Sequence, residues 1–353
     1  MNNIEVFNNF YKEVALGINK HLKEYNDSLT DNKKGYLKDN LEIFANLNSD
    51  GKLIRGFLIA LGYKMLKEDI DYSYYLSLAY ELFQTSVLIH DDIIDNDNLR
   101  RGKETIHYAN YNKLKVFNDK DAKKTSESIG ICMGNYGFFE ANKIMLKYAD
   151  DPNFKRVFDY YNDIVLKTIE GELIDVELAF DGKYNRDNVD LEDNIMLVYK
   201  LKTAYYTIVG PLCLGLLLSG VEEEKLDDII SFGEKVGIAF QIQDDILGIY
   251  SDMGKVIGSD IKEFKQTILF SYTMNTSFKD ELLKYYGNED IRDIDINETR
   301  RIFKESGAYN YANDLMNKLY DEGLLIIKNN IWIKEEDKSI LNGFVEYLRN
   351  RAK

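Results

Sequence analysis

The chain contains little that would interrupt a helix or cross-link a fold. Only two of its 353 residues are proline and two are cysteine. Because proline disrupts helix interiors, its scarcity permits long helices along most of the chain. Cys132 and Cys213 both lie in apolar helical stretches. We therefore predict buried free thiols and a reducing, cytoplasmic location, not a disulfide framework.

Long apolar runs and targeting signals are also scarce. The first ten residues are polar and lack the basic and apolar regions of a signal peptide. The longest apolar run, IVGPLCLGLLLSGV, contains Pro211 and is too short to span a bilayer. We predict a central buried helix there and no integral membrane segment.

The charge balance and the histidines exclude further classes of protein. A net charge of -15 argues against nucleic-acid binding, which needs a basic surface. It does not exclude a small phosphorylated substrate, which needs only local basic groups or metal ions held by carboxylates. The three histidines, His21, His90 and His107, have no zinc-type spacing, and His90 is interpreted as a structural hydrogen-bonding residue.

Helical periodicity dominates the chain. In YLSLAYELFQTSVLIHDDIID, apolar residues recur at steps of three and four, and alternating strand-like patterns are rare. Polar breaks predict loops at 118–128, 181–190, 251–260 and 287–299, but none resembles a flexible linker. We predict an all-α fold of about ten to twelve helices in a single domain over residues 1–353.

Two pairs of aspartates interrupt apolar helical runs. Asp91 and Asp95, with Asp92 between them, fall on one side of a helix about one turn apart, where they could share a hard cation. Asp244 and Asp245 lie inside AFQIQDDILGIY. Burying adjacent anions is costly without cations, so two such pairs suggest helices facing each other across a metal site. Because magnesium commonly completes its coordination with phosphate oxygens, the implied ligand is a diphosphate.

Basic residues accompany both pairs in sequence. Arginine suits phosphate because its planar guanidinium presents a fork of donors. Any one of these residues could instead be an ordinary surface charge, or neutralise a nearby helix end. The set comprises Lys52, Arg55, Arg100, Arg101, Lys103, Lys202, Lys255 and Lys265.

These motifs resemble those of the trans-isoprenyl diphosphate synthases, the polyprenyl synthetase family. LIHDDIIDNDNLRRGKETIH is similar to the family's first aspartate-rich motif, and FQIQDDILGIYSDMGKVIGSDIKEFKQT to its second. The likeness runs from about residue 45 to 270 and continues more weakly beyond. It implies an all-α bundle around a deep central cavity, usually as a homodimer, and a magnesium-dependent prenyltransferase.

The resemblance also implies roles for individual residues. The product length, the allylic substrate and the oligomeric state stay open at this point. Magnesium would be bound by Asp91, Asp92, Asp95, Asp244 and Asp245. The allylic diphosphate would contact Arg100, Lys202, Lys255 and Lys265. Isopentenyl diphosphate would be held by Lys52, Arg55, Gln84 and Arg101. The carbocation would be stabilised by oxygens of Lys202, Thr203 and Gln241.

Several positions depart from the family pattern. Gly248 stands where the second motif often has a third aspartate, which would weaken metal binding there without excluding it. The other departures are Leu53 for a basic residue, Gly56 for proline, Gln84 for histidine, Glu172 for glutamine and Asn135 for aspartate.

The implied reaction is head-to-tail condensation of isopentenyl diphosphate with an allylic diphosphate. Ser86 and Val87, one turn before Asp91, are small where short-product members have aromatics. This favours products of twenty carbons or more, geranylgeranyl diphosphate above others, unless Phe83 or an aromatic residue of a neighbouring helix closes the tunnel. The alternatives are a non-catalytic prenyl-diphosphate-binding subunit, a terpene cyclase and a calcium-binding helical module.

Overall fold

A computed structural model describes residues 2–49, 51–184, 190–250, 258–288 and 290–351. Most of these residues are helical, so the all-α prediction is confirmed. Their helices are α1 (Asn3–Leu29), α2 (Gly35–Asn48), α3 (Ile54–Lys64), α4 (Tyr74–Ile94), α5 (Ile106–Leu114), α6 (Asp119–Met145), α7 (Phe154–Tyr184), α8 (Leu191–Val198), α9 (Gly210–Ser219), α10 (Leu226–Tyr250), α11 (Ser259–Lys262), α12 (Ile268–Met274), α13 (Lys279–Leu282), α14 (Asp293–Glu305), α15 (Ala308–Asn329) and α16 (Glu335–Arg349).

Short helical segments join several of these helices. A π-helical segment, Tyr199–Val209, lies between α8 and α9. Single 3₁₀ turns occur at Asp71–Ser73, Leu146–Tyr148 and Glu223–Lys225. The described ranges hold sixteen α-helical segments, more than the ten to twelve expected. Two of them, α11 and α13, have only four residues each.

The chain forms two compact units. The first comprises Met1–Asn8, Asp159–Cys213 and Val221–Lys353, and the second comprises Asn9–Phe158 and Leu214–Gly220. The prediction of a single domain over residues 1–353 stays a prediction.

In the second unit, α4 packs closely on α6 because glycines of α6 leave room for it. A Cβ added at Gly134 would lie 2.2 Å from His90 Nε2, and one at Gly137 would lie 2.2 Å from Ser86 Oγ. His90 Nε2 lies 3.2 Å from the carbonyl oxygen of Ile131, as expected of a structural histidine. This packing fixes the end of α4 that carries the first aspartates.

A small hairpin follows α4. Strands β1 (Leu99–Arg100) and β2 (Lys103–Glu104) pair antiparallel, with Arg100 opposite Lys103. Arg101 and Gly102 form the two-residue turn and both have positive φ, 54° and 77°. Such turns need left-handed backbone at both positions, which glycine adopts freely and arginine does not.

In the first unit, α10 packs against α15 and against the π-helical segment. Glycines again permit the approach, since a Cβ at Gly237 would lie 2.4 Å from the Cα of Ala204. The helical stretch Leu191–Ser219 could cross a membrane by length and composition alone, but 83% of its most apolar window is buried. A buried core helix passes the same test, which agrees with the central helix predicted there.

Several sequence predictions about local structure are wrong. The loop predicted at 181–190 begins inside α7, which ends at Tyr184, and the loop predicted at 287–299 overlaps α14, which begins at Asp293. Residues 119–128 form the start of α6 and not a loop, because Asn118 caps the helix by accepting from the N–H of Asp121 at 3.0 Å. The acidic first turn, with Asp119 and Asp121, suits a helix N-terminus. Cys132 is exposed and only Cys213 is buried, so burial was predicted correctly for one thiol of the two.

Candidate active site

The first aspartate cluster lies at the C-terminal end of α4, where the helix leaves the core. Asp92 is 1% exposed, while the Asp91 side chain is 15% exposed. Burial raises the pKa of Asp92 to about 7, although Arg100 acts in the opposite direction. Asp95 is the C-cap residue of the helix. Buried negative charge is therefore concentrated at this helix end, and it requires a compensating cation.

Arg100 provides that positive charge within the same unit. Its guanidinium forms an ion pair with Asp92 and lies 3.3 Å from Asp91 and 3.5 Å from Asp97. The Arg100 side chain is itself only 16% exposed. The hairpin places it there, because β1 carries Arg100 directly before the turn at Arg101.

In the same unit, a second basic side chain, Arg55, is linked through Gln84 to Glu81, a residue that was not singled out from the sequence. Glu81 is 5% exposed, and its Oε1 accepts from the N–H of Gly56 at 2.9 Å. With its amide turned to match its neighbours, Gln84 donates to Glu81 Oε2 (2.9 Å) and accepts from Arg55 Nη1 (3.2 Å). Burial raises the pKa of Glu81, and the charges of Arg55 and Arg101 act against it. Glu81 could have been identified from the sequence, because it is an acidic residue on the apolar face of α4, three residues before Gln84.

This arrangement explains one departure from the family pattern. Proline has no N–H, so a proline at Gly56 could not donate to Glu81. Leu53, the residue before α3, has φ of 51° at the N-cap of that helix. The carbonyl oxygen of Lys52 accepts from the Tyr11 hydroxyl. Lys52, Arg55 and Gln84 thus belong to one compact region of the second unit.

In the first unit, the second aspartate pair divides into an outer and an inner carboxylate. Asp244 is 35% exposed and lies 3.2 Å from Arg351 Nη2. Asp245 is 5% exposed, and it accepts hydrogen bonds from the Tyr199 hydroxyl and from Gln241 Nε2 (2.8 Å). Burial raises the pKa of Asp245 to about 8, although both of these hydrogen bonds lower it.

The π-helical segment carries two of the predicted catalytic residues. Thr203 Oγ1 donates to Gln241 Oε1 at 2.6 Å. Lys202 Nζ lies 2.7 Å from Glu172 and 2.7 Å from Asp175, two carboxylates of α7. Glu172 stands where the family usually has glutamine, so Lys202 contacts two acids here. Asp175, Tyr199 and Arg351 were not singled out from the sequence.

A further carboxylate lies beside Gly248. A Cβ added at Gly248 would lie 2.9 Å from Asp260 Oδ2, so Asp260 brings an acidic group next to the position of the missing aspartate. The N–H of Lys265 donates to the Asp260 carbonyl at 2.8 Å, which keeps Lys265 near this turn. Lys255 lies outside the described residues.

Comparison with known proteins identifies the family. The polyprenyl synthetase family model matches residues 39–303, three quarters of the chain and both aspartate motifs. The chain belongs to the polyprenyl synthetase family. The resemblance drawn from the motifs is therefore confirmed.

Relatives of this polyprenyl synthetase are similar along most of their length. A short chain isoprenyl diphosphate synthase of Methanocaldococcus jannaschii is 29% identical over 85% of this chain and 84% of its own. A geranylgeranyl diphosphate synthase of Saccharolobus solfataricus is 29% identical over 88% of each. The geranylgeranyl pyrophosphate synthase of Corynebacterium glutamicum, solved with isoprenyl diphosphate and magnesium, has a TM-score of 0.86, covers 98% of this chain and 99% of its own, and is 24% identical. That structure shows the same fold.

The donor groups of this polyprenyl synthetase suit magnesium bound together with a substrate. Among the residues that the structure describes, no three acidic, histidine or cysteine side chains converge into a metal cage. Both motifs nevertheless offer carboxylate oxygens, the ligands that a hard cation prefers. In the second unit Asp91, Asp92 and Asp95 would hold such a cation, and in the first unit Asp244 would, in each case with phosphate oxygens completing the coordination.

Proposed function

We propose that this polyprenyl synthetase is a trans-prenyl diphosphate synthase. It condenses isopentenyl diphosphate head to tail with an allylic diphosphate. The observation that carries the proposal is the buried carboxylate pair on α4, with Arg100 as its counterion. A second carboxylate–arginine pair is formed by Asp244 of α10 and Arg351, which follows α16. The relatives named as geranylgeranyl and short chain isoprenyl diphosphate synthases support it. In this proposal the chain is one domain over residues 1–353.

The two substrates need different basic groups. Metal-bridged binding suits the allylic diphosphate, with Arg100 beside the first motif and Lys202, Lys255 and Lys265 as further cations. Isopentenyl diphosphate is held without metal by Lys52, Arg55, Gln84 and Arg101. The contact of Glu81 with Gln84, which in turn contacts Arg55, supports this second site, because it orients the guanidinium before a ligand arrives.

The chemistry needs no nucleophile from the protein. When bound, magnesium would supply positive charge at the leaving diphosphate. Arginine and lysine side chains share that charge as the allylic carbon–oxygen bond breaks. The double bond of isopentenyl diphosphate forms the new carbon–carbon bond, and the released diphosphate takes the proton. Oxygens of Lys202, Thr203 and Gln241 stabilise the allylic cation in the meantime.

The product is proposed to be geranylgeranyl diphosphate or longer, and Val87 is the residue to test. Ser86 is fully buried with its hydroxyl donating to Leu82, and it lies against Gly137, so a larger side chain would disturb the packing of α4 on α6. Val87 is half-buried. We expect Val87→Phe to shorten the product, as chromatography would show. A product of unchanged length would exclude this role.

We further propose a homodimer in the cytoplasm. One side of α7 exposes apolar residues at helical spacing: Leu166, Ile169, Leu173, Val176 and Phe180. Such a stripe is typical of an interface between helices. Leu173→Glu is expected to yield monomers in size-exclusion chromatography with light scattering, while Ile331→Glu, at an exposed residue outside the stripe, is not. A dimeric Leu173→Glu variant would contradict this interface.

Turnover by the purified chain tests the main proposal. Incubated alone with magnesium, isopentenyl diphosphate and allylic primers, the protein should release elongated diphosphates. A non-catalytic subunit would release none until a partner is added, and a terpene cyclase would release hydrocarbons or alcohols without consuming isopentenyl diphosphate. Binding of calcium with no affinity for diphosphate would indicate the third alternative, a calcium-binding helical module.

A further inference from the structure

The two aspartates of the second motif have different surroundings, although they are neighbours in sequence. Asp244 is partly exposed and contacts Arg351. Asp245 is buried, with Oδ2 accepting from Tyr199 and Oδ1 accepting from Gln241. Both oxygens of Asp245 are therefore engaged by side chains of the same unit.

The direction of the hydrogen bonds around Asp245 can be assigned from their donor and acceptor atoms. Ile268 is the first residue of α12, and its N–H donates to the Tyr199 oxygen at 2.9 Å. The Tyr199 proton is thus left to donate to Asp245. Gln241 donates its NH₂ to Asp245 Oδ1, which leaves its carbonyl oxygen turned toward Thr203.

These hydrogen bonds determine whether the Thr203 hydroxyl can donate to a ligand or only accept from it. Its hydroxyl proton is used in donating to Gln241 Oε1 at 2.6 Å. Thr203 Oγ1 consequently presents lone pairs and no proton to any further group. If the Gln241 amide turned over, Thr203 would accept from it and present its proton instead.

We propose that Tyr199 is a positioning residue which, through Asp245 and Gln241, holds the Thr203 hydroxyl as an acceptor for a developing allylic cation. The inference rests on the proposed function, since it deepens the role given there to Thr203 and Gln241. Oxygen lone pairs stabilise a cation, whereas a hydroxyl proton aimed at it does the opposite. Asp245 is then a structural acceptor, and Asp244 is the magnesium ligand of the pair.

The same two helical elements supply a matched control. Tyr205, six residues further along the π-helical segment, donates to Glu234 of α10 at 2.8 Å. Tyr199 and Tyr205 thus make the same kind of tyrosine–carboxylate bond between the same elements. None of the hydrogen bonds that link Thr203, Gln241 and Asp245 involves Tyr205.

The test compares Tyr199→Phe with Tyr205→Phe in the full chain. In Tyr199→Phe we expect kcat to fall at least about tenfold, with KM for isopentenyl diphosphate within about twofold, because the loss affects the transition state and not substrate binding. Tyr205→Phe should keep kcat within about twofold. Equal losses in both variants, or a parallel change of kcat and KM, would overturn the proposal.

A double-mutant cycle examines whether Tyr199 acts through Thr203. Thr203→Val removes the hydroxyl, so adding Tyr199→Phe to it should cost nothing further in kcat. Additive losses would show independent roles and would refute the proposed linkage.

Amide hydrogen exchange separates this inference from the proposed function. The Ile268 N–H should exchange faster in Tyr199→Phe than in the wild type or in Tyr205→Phe, because it loses its acceptor. An unchanged exchange rate would contradict the bonding chain even in an active enzyme. A wild-type chain without turnover would instead refute the proposed function, whatever the exchange rates.

Discussion

Replacing Gly248 with aspartate would restore the residue that the second motif of the family often carries, yet we expect it to impair this protein. The position is already beside a carboxylate, since an added Cβ would lie 2.9 Å from Asp260 Oδ2. Asp244 and Asp245 lie on the same helix less than two turns away. Aspartate at 248 would therefore add a fourth acid to a region that already holds three.

The steric and electrostatic parts of this effect can be estimated separately. Gly248→Ala gains about 1 kcal/mol in helix propensity, which offsets the shift demanded of the flexible Asp260 side chain. Two like charges 4 Å apart repel by about 4 kcal/mol at an effective dielectric constant of 20. Because residues 248 and 260 are half-buried, solvent screens part of this repulsion. We expect Gly248→Asp to be about 2 kcal/mol less stable than Gly248→Ala.

The assay is chemical or thermal unfolding of both variants without metal, followed by activity as a function of magnesium concentration. We expect Gly248→Ala to resemble the wild type in stability and Gly248→Asp to unfold more easily. Magnesium should restore part of the lost stability, because a bound cation relieves repulsion between carboxylates. An aspartate variant that is as stable as the alanine variant and more active than the wild type would refute this account of Asp260.

Two further variants test ion pairs of the first unit. Arg351→Gln removes the cation beside Asp244, so we expect magnesium to bind up to about fivefold more tightly in calorimetry. Arg349→Gln, two residues earlier, should leave the magnesium affinity unchanged. Weaker magnesium binding in Arg351→Gln would contradict competition between Arg351 and the metal for Asp244. Glu172→Gln removes one of two acids on Lys202 and should lower KM for the allylic diphosphate by about twofold to fivefold in steady-state kinetics. A raised KM would show that Lys202 needs Glu172 for its placement.

The fold class was predictable because helical periodicity is a local property. The positions of Asp91 and Asp245 on helices α4 and α10 followed from the same pattern. The start of α6 was missed, since its exposed polar first turn lacks apolar periodicity and depends on the Asn118 cap. Exposure of Cys132 was missed for a related reason: an apolar neighbourhood in sequence does not decide which side of a helix faces the core.

The partners of the site residues could not be predicted because they are distant in sequence. Arg351 is 107 positions from Asp244, and Tyr199 is 46 positions from Asp245. No local pattern connects such pairs, and only packing brings them together. From the sequence, the departures at Gly56 and Gly248 were interpreted only as the loss of a proline and of a third aspartate. In the structure Gly56 supplies an N–H to Glu81, and Gly248 leaves space for Asp260.

The proposed activity is decided by the mass of the product formed from farnesyl diphosphate and isopentenyl diphosphate with magnesium. We expect a diphosphate longer by at least one five-carbon unit. We also expect the product to disappear when the metal is chelated and to fall by orders of magnitude in Asp91→Asn. Farnesyl diphosphate recovered unchanged, together with no elongation of any shorter allylic primer, would contradict the proposed activity.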